Sequence, residues 1–382
     1  MNSVFSSLPT TIFETMSGLA RTHGAANLGQ GFPDADGPLD VRQAAANALL
    51  ETSNQYPPMA GLPLLREAVA AHYSDHQGID LAWQTDVTIT SGATEAIAAA
   101  LFGLIEPGDE VICFQPLYDA YVPLIRRAGG VPKFVTLVAP DWTIHEVALN
   151  EAVSPRTKLV ILNNPLNPVG KVFSRNELAV LAKFCLKNDL VVISDEVWEH
   201  VVFGSADHTS LLSMPEMANR CVKIGSAGKI FALTGWKVGW ACACPALSEA
   251  IAKAHQFLTF TTPPNLQIGV AYGLAKSKAS FQEASANFGT AYTRFTSRLH
   301  DAGFVTLPSS GTYFQLLDLR ASGIAEGDKA FALRAVKDCG VACIPLSAFY
   351  EKDAPDHLIR LCFAKSQETL ARGLDGLIKA LG

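Results

Sequence analysis

Short apolar runs alternate with helix-like stretches over the first two thirds of the chain. Five runs are apolar on both faces and rich in β-branched residues: DVTITS, DEVICFQ, TKLVILNN, LVVISDE and RCVKIGSA. Helix-like segments such as ATEAIAAALFGLI and RNELAVLAKFCLKN separate several of them. This pattern is typical of an α/β fold with a parallel sheet that helices cover on both sides. Ligands of such sheets bind at the carboxyl ends of the strands.

The pattern changes near residue 275. The polar stretch SKASFQEASANFGTAYTRFTSRLHDAG predicts a long helix, and FVTLPSSGTYFQLLDL and HLIRLCFAK predict strands of a smaller domain. The N-terminal segment, rich in glycine and proline, is expected to pack on that smaller domain. We therefore predict a large domain over residues 40–280 and a small α+β domain built from residues 1–39 and 281–382.

Composition and charge narrow the range of partners. The chain is 49% hydrophobic and 17% charged, which is typical of a soluble globular protein. Its formal net charge of −6 argues against nucleic acid or an anionic membrane as the main partner. We find no signal-peptide pattern at the N-terminus and no apolar run long enough for a membrane helix. The eight cysteines follow no zinc-site spacing, so we expect buried thiols in a reducing, cytoplasmic compartment.

Two motifs place polar groups directly after predicted strands. In TSGATEA, Gly92, Ala93 and Thr94 begin a helix whose free N–H groups suit a phosphate, with glycine allowing close approach. Most strand–glycine–helix turns bind nothing, so this motif alone is weak evidence. In NNPLNPVG, Asn167 offers an amide donor at the same edge of the sheet, although an ordinary Asn-Pro turn explains it equally well.

Two further motifs add charged groups at strand ends. VVISDEVWEH leads an apolar strand into Asp195, where a carboxylate needs a positive partner. Ser226 and Lys229 follow the strand VKIGS, and Lys237 comes one short loop later. A lysine desolvated among small residues has a lowered pKa and becomes a nucleophilic amine that can form a Schiff base. Together the four motifs supply the parts of a pyridoxal phosphate site: an anion cradle, a ring-oxygen donor, a carboxylate and an amine.

The chain resembles the fold-type I pyridoxal-phosphate aminotransferases of class I/II, most of all the branch of methionine, glutamine and kynurenine aminotransferases. The resemblance runs from about residue 25 to the C-terminus and rests on these segments: LGQGFPDADGP, NQYPPMAG, NNPLNPVGK, SDEVWEH, SAGKIFALTGWKVGW, GTYFQLLD, IPLSAFY and IRLCFAK. It implies a mostly parallel large-domain sheet flanked by helices, a smaller α+β domain, pyridoxal 5′-phosphate as cofactor and a homodimer.

The resemblance also implies a role for each residue around the cofactor. Lys229 is expected to carry the cofactor as a Schiff base and to shuttle protons, and Asp195 to pair with the pyridinium nitrogen. Asn167 would bond the ring oxygen O3′, and Tyr118 would stack on the ring. The phosphate would be held by five residues: Gly92, Ala93, Thr94, Ser226 and Lys237.

For the substrate, the resemblance implies that Arg360 grips the α-carboxylate as a bidentate fork, with Gly31 and Asn167 near it. Tyr56 is expected to reach the phosphate of the neighbouring subunit, so that the dimer shares its active sites. The chain departs from the pattern at Trp198, where a tyrosine usually bonds O3′. We expect Trp198 to contact the cofactor, but an indole N–H has a different reach from a hydroxyl.

We predict an aminotransferase that moves the amino group of a neutral L-amino acid, such as methionine, glutamine or an aromatic or kynurenine donor, to a 2-oxo acid in a ping-pong cycle. The resemblance implies that the segment AHQFLTFTTPPNLQ contributes to the partner's substrate pocket. It favours neutral donors there, because it holds Phe257, Phe260, Thr261 and Thr262 and no arginine. Cysteine-conjugate β-elimination at the same site is an alternative, since a shared intermediate permits either outcome. A regulatory aminotransferase-like domain is a further alternative, but such regulators carry a basic helix-turn-helix extension.

Two other kinds of site fit the sequence less well. GQGFPDADG lacks the third glycine of a dinucleotide-binding loop at the required place. Glu199, His200 and His208 have a spacing that matches no common metal-ligand set, and we interpret them as surface loop residues. We therefore predict no metal.

Overall fold

The computed structural model of the protein describes residues 2–6 and 8–381. The strands in this part of the chain are β1 (Ala26–Asn27), β2 (Val87–Thr90), β3 (Glu110–Gln115), β4 (Val131–Thr136), β5 (Thr157–Asn163), β6 (Val191–Asp195), β7 (Cys221–Ser226), β8 (Gly239–Cys242), β9 (Val305–Thr306), β10 (Phe314–Asp318), β11 (Val341–Ala342), β12 (Ile344–Pro345) and β13 (Leu358–Cys362). The α-helices are α1 (Ser3–Ser6), α2 (Ile12–His23), α3 (Leu39–Glu51), α4 (Pro63–Gln77), α5 (Trp83–Asp86), α6 (Gly92–Leu104), α7 (Tyr121–Arg127), α8 (Glu146–Ala152), α9 (Arg175–Lys187), α10 (Ala227–Ile230), α11 (Pro245–Leu258), α12 (Pro264–Leu274), α13 (Lys278–Asp301), α14 (Asp328–Arg334) and α15 (Gln367–Ala380).

A seven-stranded sheet forms the larger part of the molecule, in the order β2-β8-β7-β6-β5-β3-β4. Strands β3 to β7 pair in parallel, and β8 runs antiparallel to both of its neighbours. The predicted mostly parallel sheet is confirmed. Strands β4 and β8 were absent from the sequence prediction, because β4 is a partly exposed edge strand and β8 is four residues long and begins with glycine.

Burial on both faces of the sheet explains why four of its strands are so apolar. Every residue of β2, β3, β7 and β8 is buried, because helices lie on both faces. Helix α6, which is rich in alanine and leucine, packs between the sheet and α11. The start of α6 is thereby held at the carboxyl ends of the parallel strands.

A four-stranded antiparallel sheet, β12-β13-β10-β9, lies in the C-terminal part of the chain. The predicted long helix is α13, and the predicted strands are β9, β10 and β13. The N-terminal segment joins this part, since Ala26 and Asn27 pair in parallel with Val341 and Ala342. The domain boundaries at residues 40 and 280 stay a prediction.

The cysteines largely follow their predicted burial. All eight are free, and seven are buried. Cys244 is partly exposed, so the expectation was wrong there, because it precedes α11 at the surface end of β8. Among the residues that the structure describes, no helix combines the length and the apolar character that spanning a membrane requires.

Candidate active site

A cavity of about 210 Å³ lies where β5, β6 and β7 end. Ten of the thirteen residues predicted for the site line it: Gly92, Ala93, Thr94, Tyr118, Asn167, Asp195, Trp198, Ser226, Lys229 and Lys237. Arg360 and Gly31 lie at its edge, since each contacts a lining residue, while Tyr56 is elsewhere. The structure thus brings twelve of the thirteen together, and the roles predicted for them stay predictions.

Lys229 follows β7 in the short helix α10, whose start is fixed by the Ser226 hydroxyl accepting from the Gly228 N–H at 3.2 Å. Its Nζ lies 3.3 Å from the carbonyl oxygen of Gly31 and 3.3 Å from the hydroxyl of Tyr313. Burial lowers the pKa of the Lys229 amine to about 8. A sizeable fraction of this amine is therefore neutral and nucleophilic near neutral pH.

Asp195 and Glu196 are adjacent in the chain, but their carboxylates have different surroundings. Glu196 receives hydrogen bonds from Lys223, His208 and Ser210, and the pKa of its carboxyl is lowered to about 2 by the Lys223 ammonium and His208 despite complete burial. Asp195 has no ion-pair partner within 4.0 Å in the described parts of the chain. Glu196 is therefore paired with Lys223 inside the protein, whereas Asp195 lines the cavity without an ion-pair partner among the described residues.

Asp195 is held by neutral donors. The Tyr121 hydroxyl donates to its Oδ2 at 2.5 Å, and the Val197 N–H lies 3.4 Å from Oδ1. Burial raises the pKa of the Asp195 carboxyl to about 6, and these two hydrogen bonds and the charge of Lys229 only partly oppose the rise. A cation placed against Asp195 would lower that pKa and stabilise the carboxylate.

The start of α6 forms a cradle of backbone N–H groups. Gly92 has a φ of 74°, and a Cβ there would lie 3.2 Å from Cε and 3.3 Å from Nζ of Lys237. The N–H groups of a first helical turn lack intrahelical partners. The residues that begin α6 and Lys237 line the same cavity, so these N–H groups and the Lys237 ammonium are donors for one ligand. Ser226 lines the same cavity. Such a donor set suits a phosphate.

Arg360, in β13, is fully buried. Its Nη1 donates to Asn167 Oδ1 at 3.0 Å and its Nη2 to the Gly29 carbonyl at 2.9 Å, and its guanidinium stacks 3.9 Å above the ring of Phe314. The Nε has no hydrogen-bond partner, and burial lowers the pKa of the group to about 10. A buried guanidinium bonded only to neutral oxygens favours the arrival of a carboxylate.

Gly31 lies where a side chain would interfere. A Cβ at this position would be 3.1 Å from the Phe314 ring and 3.7 Å from Nη2 of Arg360. Its carbonyl oxygen accepts from Tyr313 at 2.7 Å as well as from Lys229. The Gly31 carbonyl therefore contacts the amine, and the absence of a side chain leaves room beside Arg360.

Trp198 is buried in the cavity wall. Its ring lies edge-on to Tyr313, with centroids 4.6 Å apart, and Lys229 Nζ is 4.7 Å from the indole centroid. The indole therefore lies against the reactive amine, where a cation–π contact favours the charged form of lysine. Whether its N–H replaces the tyrosine hydroxyl implied by the resemblance stays a prediction.

Tyr56 and the predicted specificity segment lie outside the cavity of their own chain. Tyr56 is 83% exposed and packs edge-on against Phe260, with centroids 5.4 Å apart. Phe257 is 86% exposed, whereas Thr262 is buried. Tyr56, Phe257 and Phe260 are not among the residues that line the cavity, so the role predicted for Tyr56 in a neighbouring subunit stays a prediction.

Three residues of the site were missed from the sequence. Tyr121 bonds Asp195, Asn163 donates to the Asp195 carbonyl at 2.9 Å and accepts from the Asn167 N–H at 2.7 Å, and Tyr313 bonds the Gly31 carbonyl. Asn163 and Tyr313 lie within segments that carry the resemblance, NNPLNPVGK and GTYFQLLD, and Tyr121 lies three residues after Tyr118 in QPLYDAY. A polar side chain at the end of an apolar strand was the available signal for Asn163, while no local pattern marks the two tyrosines.

The interpretation of Glu199, His200 and His208 as surface loop residues is wrong. Glu199 is 5% exposed and accepts from Lys223 at 2.8 Å and from Tyr73 at 2.9 Å. His200 and His208 are half-buried, and each ring contacts a buried polar side chain. The buried ammonium of Lys223 is the physical reason, because it draws the carboxylates after β6 inward.

The chain is similar in sequence and in structure to known aminotransferases. The family model for aminotransferase class I and II matches residues 24–377. The probable N-succinyldiaminopimelate aminotransferase DapC of Mycobacterium tuberculosis H37Rv is 42% identical over 373 residues, covering 94% of each chain. The methionine aminotransferase of Escherichia coli K12 is 39% identical over 370 residues, covering 97% of this chain and 96% of its own. The solved N-succinyldiaminopimelate aminotransferase of M. tuberculosis superimposes over 100% of both chains with a TM-score of 0.96 and 40% identity. These matches confirm the predicted fold class.

Proposed function

The chain belongs to the aminotransferase class I and II family, and on that premise we propose that it transfers the amino group of a neutral L-amino acid to a 2-oxo acid by a ping-pong mechanism. The enzyme is an aminotransferase, and pyridoxal 5′-phosphate is the cofactor of its family. One observation carries the proposal: the buried amine of Lys229, with its pKa lowered to about 8, shares a cavity with Asp195 beside Arg360.

The residues of the cavity fit this cofactor. The N–H groups that begin α6 and the Lys237 ammonium are donors for its phosphate, and a Cβ at Gly92 would fill part of that cradle. Asp195, buried and without a basic partner, suits a protonated ring nitrogen. The bound cofactor supplies an electron sink that stabilises negative charge at the substrate Cα.

The protein's own groups then perform binding and proton transfer. Arg360 binds the α-carboxylate of the amino acid, since its guanidinium is oriented by Asn167 and Gly29 and stacked on Phe314. Lys229 removes the Cα proton as a general base and later returns a proton as a general acid. A pKa near 8 suits both roles, because the amine exchanges protons readily near neutral pH.

The proposed preference for neutral donors rests on the roles assigned to the cationic side chains of the site. In our proposal Lys229 and Lys237 serve the cofactor, and Arg360 serves the α-carboxylate. The exposed segment at residues 254–267, which we assign to the partner's pocket, contains no lysine or arginine. An acidic donor side chain would therefore be desolvated without a cation, which is unfavourable.

A second candidate donor comes from the relatives. A protein 42% identical to this chain is named as a probable N-succinyldiaminopimelate aminotransferase. That compound carries carboxylates far from the reacting α-carbon, so its use would require a cation at the distal end of the pocket. Cysteine-conjugate β-elimination at the same site remains the alternative reaction.

The test is a donor panel with purified holoenzyme and several 2-oxo acids. Methionine, glutamine, phenylalanine and kynurenine should give kcat/KM values at least about tenfold above aspartate, a difference of about 1.4 kcal/mol in transition-state binding. N-succinyldiaminopimelate and a cysteine conjugate belong in the same panel, the latter with thiol release as readout. Aspartate or glutamate as the best donor would refute the preference.

Two variants serve as controls for this panel. Lys229→Ala should abolish transamination with every donor, because it removes the proton-transferring amine. Arg360→Lys should lower kcat/KM for all donors while leaving their ranking intact, because it weakens a contact with the α-carboxylate that they share. A changed ranking in Arg360→Lys would mean that Arg360 reads the side chain.

We further propose a cytoplasmic homodimer. The eight free thiols are suited to a reducing compartment. The exposed aromatic surface of Tyr56, Phe257 and Phe260 suits burial against a second copy of the chain.

A further inference from the structure

We propose that His72, His76 and His200 form a binding site for a divalent transition-metal ion of the zinc class, apart from the active site. His72 and His76 are one turn apart on α4, so both rings project from the same face of the helix. Two histidines at this spacing on a helix are an established ligand pair for zinc. His200, which follows β6 and the Trp198 segment, supplies the third imidazole.

The three rings are already close enough to share an ion. One ring nitrogen from each of the three lies within 4.8 Å of the others. Nε2 of His72 and Nε2 of His200 are 2.7 Å apart, and the rings of His72 and His76 stack with centroids 4.2 Å apart. Tetrahedral Zn–N bonds of about 2.0–2.1 Å place ligand nitrogens about 3.3 Å apart. Small rotations of the rings therefore reach a binding geometry.

The imidazoles are in a form suited to ligation. His72 is 3% exposed, and its Nδ1 has no hydrogen-bond partner. Between the facing Nε2 atoms, one nitrogen must donate a proton to the other's lone pair. On metal binding, the ring that donates would shift its proton from Nε2 to Nδ1, so that both Nε2 lone pairs can bind the ion.

A wide cavity gives an ion access to the cluster. The cavity has a volume of about 1250 Å³, and its lining includes His76, His200, Lys278 and Phe281. It lies between the loop after β6 and helix α13, and water entering it can fill a fourth coordination position. The ring of Phe281 lies 4.7–5.0 Å from the centroids of all three imidazoles and forms an apolar wall behind them.

The charges near the cluster include the ammonium groups of Lys223 and Lys278 and the carboxylate of Glu199, which is already engaged. The carboxylate of Glu199 is bonded to Lys223, Tyr73 and Gln77, so it lies close by without being free to act as a ligand. The second cluster of possible ligands, Glu196, Glu199 and His208, already holds a cation, because Lys223 Nζ pairs with both carboxylates. Of the two clusters found among the described residues, the three histidines therefore form the one without a bound ammonium, and His76 and His200 reach the open cavity.

Binding at this site would join two elements. His72 and His76 belong to α4, and His200 belongs to the segment that carries Asp195 and Trp198. An ion held by all three would fix α4 against that segment and stabilise the folded chain by mass action. The expected role is structural, since Asp195 and Trp198, not these imidazoles, line the proposed active site.

The test is a titration of metal-free holoenzyme with Co²⁺, followed by the visible bands that appear when cobalt binds imidazole. Wild type should saturate at one ion per chain. His76→Gln should bind Co²⁺ at least about tenfold more weakly, because it removes a ligand. His145→Gln, which changes an exposed histidine elsewhere, should match wild type. His76 is only half-buried, so this variant should fold.

Thermal unfolding with Zn²⁺ gives a second readout. Zn²⁺ should raise Tm of wild type and of His145→Gln and leave Tm of His76→Gln unchanged. In metal-free buffer, His76→Gln should keep the donor preferences of wild type, so the metal site and the proposed function can fail separately. Equal Co²⁺ affinity in wild type and His76→Gln, or no binding to wild type at millimolar Co²⁺, would overturn the proposal.

Discussion

The amine of Lys229 is almost entirely removed from water when the chain folds without cofactor, and burial lowers its pKa from 10.5 to about 8. A cation whose pKa falls on folding destabilises the folded state at every pH below the folded-state pKa, and the penalty disappears as the pH rises to the unfolded value. The reactivity of this lysine and its cost in stability therefore have the same origin.

Lys229→Met should accordingly stabilise the apo-protein. At pH 7 the free energy of unfolding should rise by about 3 kcal/mol, at ~1.4 kcal/mol per unit of pKa shift. The gain should shrink between about pH 8 and pH 10.5, where the wild-type amine loses its proton in the folded state first. Urea unfolding at pH 7 and pH 10 measures it, with the exposed Lys183→Met as control. A gain independent of pH would assign the effect to packing instead.

At the same scale, the sequence identified the residues at strand ends but not their partners. Lys229 and Asp195 were predictable because the carboxyl ends of parallel strands meet at one edge. The contact of Tyr121 with Asp195 was not, because it depends on how α7 packs over that edge. The same limit applies to Tyr313, which comes to Lys229 from a segment 84 residues away.

At the scale of the element, strand alternation separates two adjacent carboxylates. In the register of β6 with β7, Ser194 lies opposite Lys223 and Asp195 opposite Ile224. Since successive side chains point to opposite faces, Ser194 and Glu196 share a face with Lys223, while Asp195 points into the cavity. The alternation was visible in the sequence. The sequence did not show which face of the sheet carries the cavity, because that depends on how the two strands pair.

The contact between β8 and the start of α6 is a second feature at this scale. A Cβ on Gly239 would lie 2.7 Å from the carbonyl carbon of Gly92 and 2.8 Å from the nitrogen of Ala93. Both atoms belong to the backbone, so β8 would have to move away from the helix. The missed strand β8 therefore packs directly against the start of α6, where we propose that the cofactor phosphate binds.

Gly239→Ala should disturb both stability and cofactor retention. Overpacking should cost about 1–3 kcal/mol of unfolding free energy, and displacement of the N–H groups should weaken cofactor binding about tenfold, or ~1.4 kcal/mol. Urea unfolding and loss of cofactor absorbance on dialysis measure the two effects. Gly235→Ala is the matched control, because nothing lies within 4 Å of its Cβ, and its change should stay within about 0.5 kcal/mol. Equal effects in both variants would contradict the role of β8.

At the scale of the whole molecule, Tyr56 is the predicted site residue that the single chain leaves outside its cavity. It is 83% exposed and packs on Phe260, itself 40% exposed. A sequence can mark such a residue only through resemblance, because neither periodicity nor burial within one chain indicates contact with a second copy. If Tyr56 serves the neighbouring subunit, each active site needs residues from both chains.

Mixed dimers test this sharing directly. Tyr56→Phe and Lys229→Ala homodimers should each be nearly inactive, the first through loss of a phosphate contact and the second through loss of the amine. In a heterodimer, one site combines the intact Lys229 of one chain with the intact Tyr56 of the other. Unfolding and refolding an equal mixture should therefore recover about a quarter of wild-type activity, since half of the dimers are mixed and each has one intact site of two. Each variant treated alone should recover nothing. If Tyr56 instead acted within its own chain, every site in the heterodimer would carry a defect, and the mixture would stay inactive.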